Sequence, residues 1–137
     1  MALVIDQIDH IVLNCAETEV TAAWFQRVLG MAREDFSPGP GDTNRIALKF
    51  GNQKINLRPT FADKQAWIAA KETSHGAADV CFVTKASLRD VIAHLEACDV
   101  PIELGPVERL GAMGPMRSVY CRDPDGDLIE IASYSPA

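Results

Sequence analysis

The chain lacks the short motifs that most often announce a chemistry. Its four cysteines, Cys15, Cys81, Cys98 and Cys121, are scattered singly, with no Cys-x-x-Cys pair, which excludes the common structural zinc patterns. There is no glycine-rich phosphate loop and no Gly-x-Ser-x-Gly elbow, so neither nucleotide-binding loops nor that serine-hydrolase arrangement applies. No apolar run approaches the roughly 20 residues needed to span a bilayer. The opening Met-Ala-Leu-Val-Ile-Asp has no basic stretch and no long apolar stretch, so no signal peptide is evident and a cytoplasmic location is expected. Reduced cysteines, mostly buried as small hydrophobes, follow from that location, and no catalytic thiol is expected. An excess of positive charge is also missing. Thirteen Lys and Arg against nineteen Asp and Glu give a net charge of −6, which argues against nucleic acid or an anionic membrane as partner.

What is present is ordinary in bulk and specific in detail. With 137 residues, 47% hydrophobic and 23% charged, the chain suits one soluble domain with a real core. The most informative stretch is the tail, Tyr120-Cys-Arg-Asp-Pro-Asp-Gly-Asp-Leu-Ile-Glu130-Ile-Ala. A Pro-Asp-Gly turn between two apolar runs predicts a tight β-hairpin. Glu130 then stands inside a strand between Ile129 and Ile131. A carboxylate there must be paired, metal-bound or solvent-facing, because an isolated buried charge is too costly. Its best partner is His10, near the other end of the chain.

A single order of elements occurs twice. Ile8 to Cys15 predicts a strand with His10, Val12 and Asn14 on one face and Ile11 and Leu13 on the other. A helix follows, with Val20, Trp24, Phe25 and Val28 at helical spacing and Gly30 as its stop. Strands over Met31–Phe36, Arg45–Phe50 and Lys54–Arg58 complete the first set, with a Pro-Gly-Pro-Gly loop at 38–41 and a Gly51-Asn52 turn. In the second set, Ala78–Val83 predicts a strand with Asp79, Cys81 and Val83 on one face. A helix then buries Leu88, Val91, Ile92, Leu95 and Cys98, capped by Ser87. Strands over Pro101–Val107, Met116–Cys121 and Leu128–Tyr134 follow. Each half reads β-α-β-β-β. The expected fold is α+β, a single domain over 1–137 with modules 5–59 and 77–134 joined by a linker, 60–76. A short helix over Ala62–Lys71 carrying Trp67 is expected in that linker. The two sheets are expected to form an open, cup-shaped, curved mixed sheet with the helices outside.

The stretches Asp-His-Ile-Val-Leu (9–13), Trp24-Phe25-Gln-Arg-Val-Leu-Gly-Met31, Gly-Asn-Gln-Lys-Ile-Asn-Leu (51–57) and Asp-Pro-Asp-Gly-Asp-Leu-Ile-Glu (123–130) together resemble the vicinal-oxygen-chelate superfamily, the glyoxalase, bleomycin-resistance and extradiol-dioxygenase group. Within it the chain looks most like small glyoxalase-domain, virulence-associated proteins. The resemblance covers nearly the whole chain and implies a cup holding one divalent metal, with ligands from the first and last strands of each module. Residue by residue, those positions are His10 and Asn56 in the first module and Asp79 and Glu130 in the second. His10 and Glu130 match the usual ligands. Asn56 stands where glyoxalases often have Glu, and Asp79 where metalloenzymes of the group usually have His or Gln.

The metal ligands implied are thus His10, Asp79 and Glu130, with Asp79 either a ligand or the group that orients His10 or a water. Imidazole and carboxylate suit Zn, Mn, Ni, Co or Fe without choosing among them. His75 would replace Asp79 only after a register slip in the strand, and His94 reads as a solvated helix residue. Asn56 and Arg58 are candidates to hold substrate. Tyr120 is another, because fosfomycin-resistance enzymes of the superfamily use a tyrosine at its position. Arg45 and Arg117 could also hold an anion, and the loop from Arg109 to Met116 could flex over the cup. The first functional reading is a metal-dependent lyase, isomerase or transferase acting on a small oxygen-rich molecule, with Glu130 or Asp79 as base. The second is a non-catalytic drug- or metabolite-binding protein of the bleomycin-resistance type, favoured by the departures at Asn56 and Asp79. A ring-cleaving Fe(II) dioxygenase is third, since Asp79 stands where a second histidine is needed. A homodimer is implied by the resemblance, with Trp67 a candidate contact.

Overall fold

A computed structural model describes residues 2–41 and 43–135. The chain divides into two units, Met1–Thr73 and Ser74–Ala137. The first contains β1 (His10–Cys15), α1 (Thr18–Leu29), β2 (Ala32–Phe36), β3 (Arg45–Phe50) and β4 (Gln53–Pro59). The second contains β5 (Asp79–Val83), α2 (Leu88–Ala97), β6 (Leu104–Gly111), β7 (Gly114–Arg122) and β8 (Leu128–Ser133). The repeated β-α-β-β-β order expected from the sequence is therefore present in both units.

Each unit forms one four-stranded mixed sheet, ordered β1-β4-β3-β2 in the first and β5-β8-β7-β6 in the second. The helix returns the chain so that the first strand of each sheet lies parallel to the last, while the other neighbours are antiparallel. One face of each sheet is sealed by its helix. In the first unit α1 packs on β3 and β4. Ala22, Phe25 and Val28 are buried there, as are Leu13, Ile46, Leu48, Ile55 and Leu57 of the sheet. In the second, α2 packs on β7 and β8, and Leu88, Val91 and Leu95 are buried with Val119, Cys121, Ile129 and Ile131.

Local sequence explains the element ends. Gly30 takes a left-handed conformation at φ 66°, and its N–H donates to the Phe25 carbonyl, closing α1. Ser87 caps α2, its hydroxyl accepting from the Asp90 amide at 3.2 Å. Other expectations need correcting. Val20 is 49% exposed, because the buried stripe of α1 runs through Thr21, Ala22, Phe25 and Val28. Ile92 and Cys98 are only half-buried. Residues 62–71 form turns instead of a helix, held by Trp67 N–H donating to the Asp63 carbonyl and Lys64 Nζ to the Lys71 carbonyl. The segment from Arg109 to Met116 is a hairpin whose strands pair from Arg109–Met116 through Gly111–Gly114, so only its tip is loop. Cys15 and Cys121 are buried as expected, but Cys81 is exposed; none of the four forms a disulfide.

Leu95 is fully buried, so Leu95→Ala should lower stability by about 2–5 kcal/mol through a cavity. Ser87→Ala removes only the cap and should cost about 1 kcal/mol. Chemical denaturation of the three proteins should place the cap variant between wild type and the cavity variant.

Candidate functional site

The sheet face away from each helix carries the polar residues, because alternation along a strand sends successive side chains to opposite faces. In the first unit this face bears His10, Val12 and Asn14 on β1, opposite Lys54, Asn56 and Arg58 on β4. Ala47 and Lys49 of β3 continue two of these rows. In the second unit it bears Asp79, Cys81 and Val83 on β5, opposite Leu128, Glu130 and Ala132 on β8. Ser118, Tyr120 and Arg122 of β7 extend those rows. The registers make the two units directly comparable. Val12–Asn56–Ala47 in one is the counterpart of Cys81–Glu130–Tyr120 in the other, and His10 is the counterpart of Asp79.

The counterparts Asn56 and Glu130 share a telling property. Asn56 Oδ1 and Glu130 Oε2 are both buried oxygens without a hydrogen-bond partner. A buried acceptor left unpaired costs roughly 1–3 kcal/mol. The two stand at equivalent positions of their sheets, each an acceptor that a donor from outside the chain would satisfy. Glu130 lies against the Cys81 thiol. Burial first, then the negative charge of Glu130, pushes that thiol up to about 11, so it stays protonated at neutral pH. Asp79 is exposed at the start of β5. Tyr120 is half-buried and its hydroxyl accepts from Arg109 Nε at 2.9 Å.

In the first unit, His10 Nδ1 lies 2.8 Å from Asp9 Oδ2. A neutral imidazole donating Nδ1–H to that carboxylate keeps the Nε2 lone pair available, the arrangement common among metal-binding histidines. Arg58 is fully buried. It donates from Nη1 to Asn14 Oδ1 at 3.1 Å and from Nη2 to the Ala62 carbonyl at 2.6 Å, while its Nε has no partner. No carboxylate among the described residues pairs with it. His75 is exposed in the segment before β5, and the β5–β8 ladder is regular, without the slip that would draw it in. His94 is exposed on α2, 3.6 Å from the Cys98 thiol, on the helix that covers the other face of its sheet. Arg117 is exposed on β7 at a position alternate to Ser118.

An oxygen without a partner on Glu130, an exposed carboxylate on Asp79 and a free imidazole nitrogen on His10 are all suitable donors. Within neither unit, among the described residues, do three His, Cys, Asp or Glu side chains gather to hold an ion. His10, Asp79 and Glu130 each have the donor type a divalent cation takes, and in neither unit do they form a closed set.

The tail turn contains a feature that its motif did not announce. Asp123 Oδ1 accepts from the amides of Asp125 and Asp127 at 3.0 and 2.9 Å, and Asp127 Oδ1 accepts from the Ala78 amide at 2.9 Å. This fastens the hairpin to the start of β5. Both Oδ2 atoms are buried without a partner, a conflict that a proton carried by Asp123 and donated to Asp127 removes. The signal was the Asp-x-x-x-Asp spacing inside a motif that otherwise reads as a turn alone.

These features define a duplicated β-α-β-β-β fold in which each sheet has one polar face. The chain matches the Glyoxalase/Bleomycin resistance protein/Dioxygenase superfamily over residues 7–131, and it belongs to that family. It is 40% identical over 132 residues to Virulence protein STM3117 of Salmonella typhimurium, covering 96% of this chain and 87% of that protein. It is 39% identical over 135 residues to the glyoxalase domain-containing protein RDO1 of Mycosarcoma maydis, covering 98% and 72%. Among solved structures it resembles VPC_CASS1, from the mobile metagenome of V. Pseudocholerae, at 41% identity and a TM-score of 0.90, covering 98% and 99%.

Burial, the Asp127 hydrogen bond and its charge push the Asp123 carboxyl up to about 8. A carboxyl whose pKa is higher folded than unfolded loses stabilisation as pH climbs from about 4, its unfolded value, through about 8. Asp123→Asn keeps the acceptor Oδ1 and cannot ionise. Its melting temperature should gain on wild type steadily between pH 4 and pH 8; parallel curves would contradict the proton on Asp123.

Proposed function

We propose that this protein binds a small oxygen-rich molecule and acts on it with the help of a divalent metal. The observation that carries this reading is the pair of buried, unpartnered oxygens at the equivalent positions Asn56 and Glu130. His10 and Glu130 would hold the metal, with Asp79 as a third donor or as the group orienting a water. Bound there, a Zn, Mn, Ni, Co or Fe ion supplies Lewis-acid polarisation of two neighbouring substrate oxygens. The chain's own residues do the rest. Asn56 offers a neutral amide to a substrate oxygen, a weaker metal donor than the glutamate it replaces. Tyr120, oriented by Arg109, presents its hydroxyl from β7. Asp79, exposed and diagonal to Glu130 across the β5–β8 pair, would accept a proton at its carboxylate. Cys81 stands directly opposite Glu130 in the β5–β8 ladder.

A second reading is a non-catalytic binding protein, and one observation favours it: neither module gathers three metal donors of its own. A homodimer also belongs to the proposal. β1 and β5 are edge strands with exposed apolar side chains, Val12 at 43% and Val83 at 58%, which a second copy could cover.

Chelator-stripped protein titrated with Zn²⁺, Mn²⁺ and Ni²⁺ by calorimetry tests the first reading. One of these ions should bind stoichiometrically, and His10→Ala and Glu130→Gln should each weaken it by tenfold or more. Ligand binding that survives both substitutions, with no stoichiometric metal, would select the second reading.

A further inference from the structure

The polar face of the first unit carries cations with little to balance them. Lys49 pairs with Glu34 at 3.4 Å. Lys54 lies over the Phe36 ring at 4.6 Å, and Arg45 and Arg58 have no carboxylate partner among the described residues. Arg58 is the most costly of these, because its guanidinium is fully buried and answered only by an amide oxygen and backbone carbonyls. The turns of 60–73 bring a single aromatic ring to both arginines. The Arg45 guanidinium stacks 3.7 Å from the centre of the Trp67 ring, and that of Arg58 lies 5.8 Å from it. Stacking fixes the plane of Arg45 while leaving the nitrogens at its rim available as donors.

Two recesses open at this place. One, of about 450 Å³, is bounded by Thr43, Asn44, Arg45 and Trp67. The other, of about 270 Å³, is bounded by Val12, Asn14, Arg58 and Ile68. The carboxylate that lines the larger recess, Asp63, is engaged in its own turn, accepting from the Gln65 amide at 2.9 Å, and makes no ion pair with Arg45. The larger recess thus combines a fixed guanidinium plane, small hydrogen-bonding side chains and an aromatic wall. The buried charge of Arg58 behind it has no internal counter-ion.

We propose that this Arg45–Trp67–Arg58 cluster is the receptor for a carboxylate group on the substrate, so that the molecule taken by this protein is an organic carboxylate. This deepens the small-molecule reading given above and rests on it. Arg45 would meet the carboxylate with its planar fork, which matches two carboxylate oxygens better than an ammonium does. Arg58 would act as a positioning residue, adding positive potential from a desolvated site where charge is weakly screened.

The test uses the full chain in a Trp24→Phe background, so that Trp67 is its sole indole, in buffer containing chelator. Benzoate, benzamide and inorganic phosphate are titrated against Trp67 fluorescence. Benzoate should give a saturable change, with benzamide and phosphate at least tenfold weaker. Arg45→Gln should weaken benzoate by tenfold or more, and Arg45→Lys should recover part of that loss. Equal response to benzamide, or unchanged affinity in Arg45→Gln, overturns the proposal; phosphate binding as tightly as benzoate overturns the carboxylate assignment. Because chelator is present throughout, this result and the metal titration fail or succeed separately.

Discussion

Each module depends on one helix covering one face of a four-stranded sheet. The covered face supplies nearly all the apolar burial, with Phe25 and Val28 of α1 against Leu48, Ile55 and Leu57, and Leu95 of α2 against Val119, Ile129 and Ile131. Strand alternation then leaves every second residue on the opposite face, away from the helix. Chemistry can change there without loss of the fold. His10, Asn56 and Arg58 stand on that face in one unit, and Asp79, Cys81 and Glu130 in the other. A one-residue slip of β4 or β8 would bury Asn56 or Glu130 beneath the helix, so the apolar face enforces the register that the polar face requires.

The sequence was most legible where one local rule had no competitor. Period-two strands, Gly30 at a left-handed helix end and Ser87 at a helix start are all decided by a few neighbouring residues. Those rules also gave the duplicated order and the facing set around Glu130. Legibility failed where long-range contacts decide. Residues 62–71 have helical composition, but Arg58 draws the Ala62 carbonyl toward the sheet and Thr60 Oγ1 donates to the Thr73 carbonyl at 2.6 Å, bonds that a helix would forgo. The glycines near Met113 suggested a mobile loop. Instead the strands pair almost to the tip, and Tyr134 Oη accepts from the Met113 amide at 3.2 Å. Arg45 was visible as a candidate anion holder, but its stack on Trp67, 22 positions further along, was not.

The tail shows how one motif serves packing and chemistry together. Asp-Pro-Asp-Gly supplies the turn, but its two flanking acids also bind backbone amides, one of them on Ala78 beside the β5 start. That bond, with Leu128 N–H donating to the Ala78 carbonyl at 3.0 Å, sets β5 against β8 and so places Cys81 directly opposite Glu130. Gly76 is part of the same fastening. It sits at φ 79°, and a Cβ there would lie 2.5 Å from the Asp125 carbonyl oxygen, so a side chain would push the turn away from the strand. The carboxylate proposed for chemistry is thus positioned by two carboxyls that have none.

The equivalent positions of the two modules have diverged in charge, and that divergence bears on mechanism. Where the first module has His10 and Asn56, the second has Asp79 and Glu130. Around the first pair stand Lys49, Lys54 and Arg58; around the second, the nearby cation, Arg122, is committed to Glu103 at 2.8 Å. An amide among cations favours anionic oxygens of a ligand, whereas two carboxylates beside an engaged arginine favour a cation or a proton. On the reading proposed, recognition of substrate charge falls to the first module and proton handling to the second. A symmetric pair of carboxylate-rich faces would attract metal more strongly but would repel an anionic substrate. On the same proposal, a neutral amide at Asn56 leaves one negative charge fewer where a carboxylate-bearing molecule would approach, so the departure from the glyoxalase pattern would help set the substrate class.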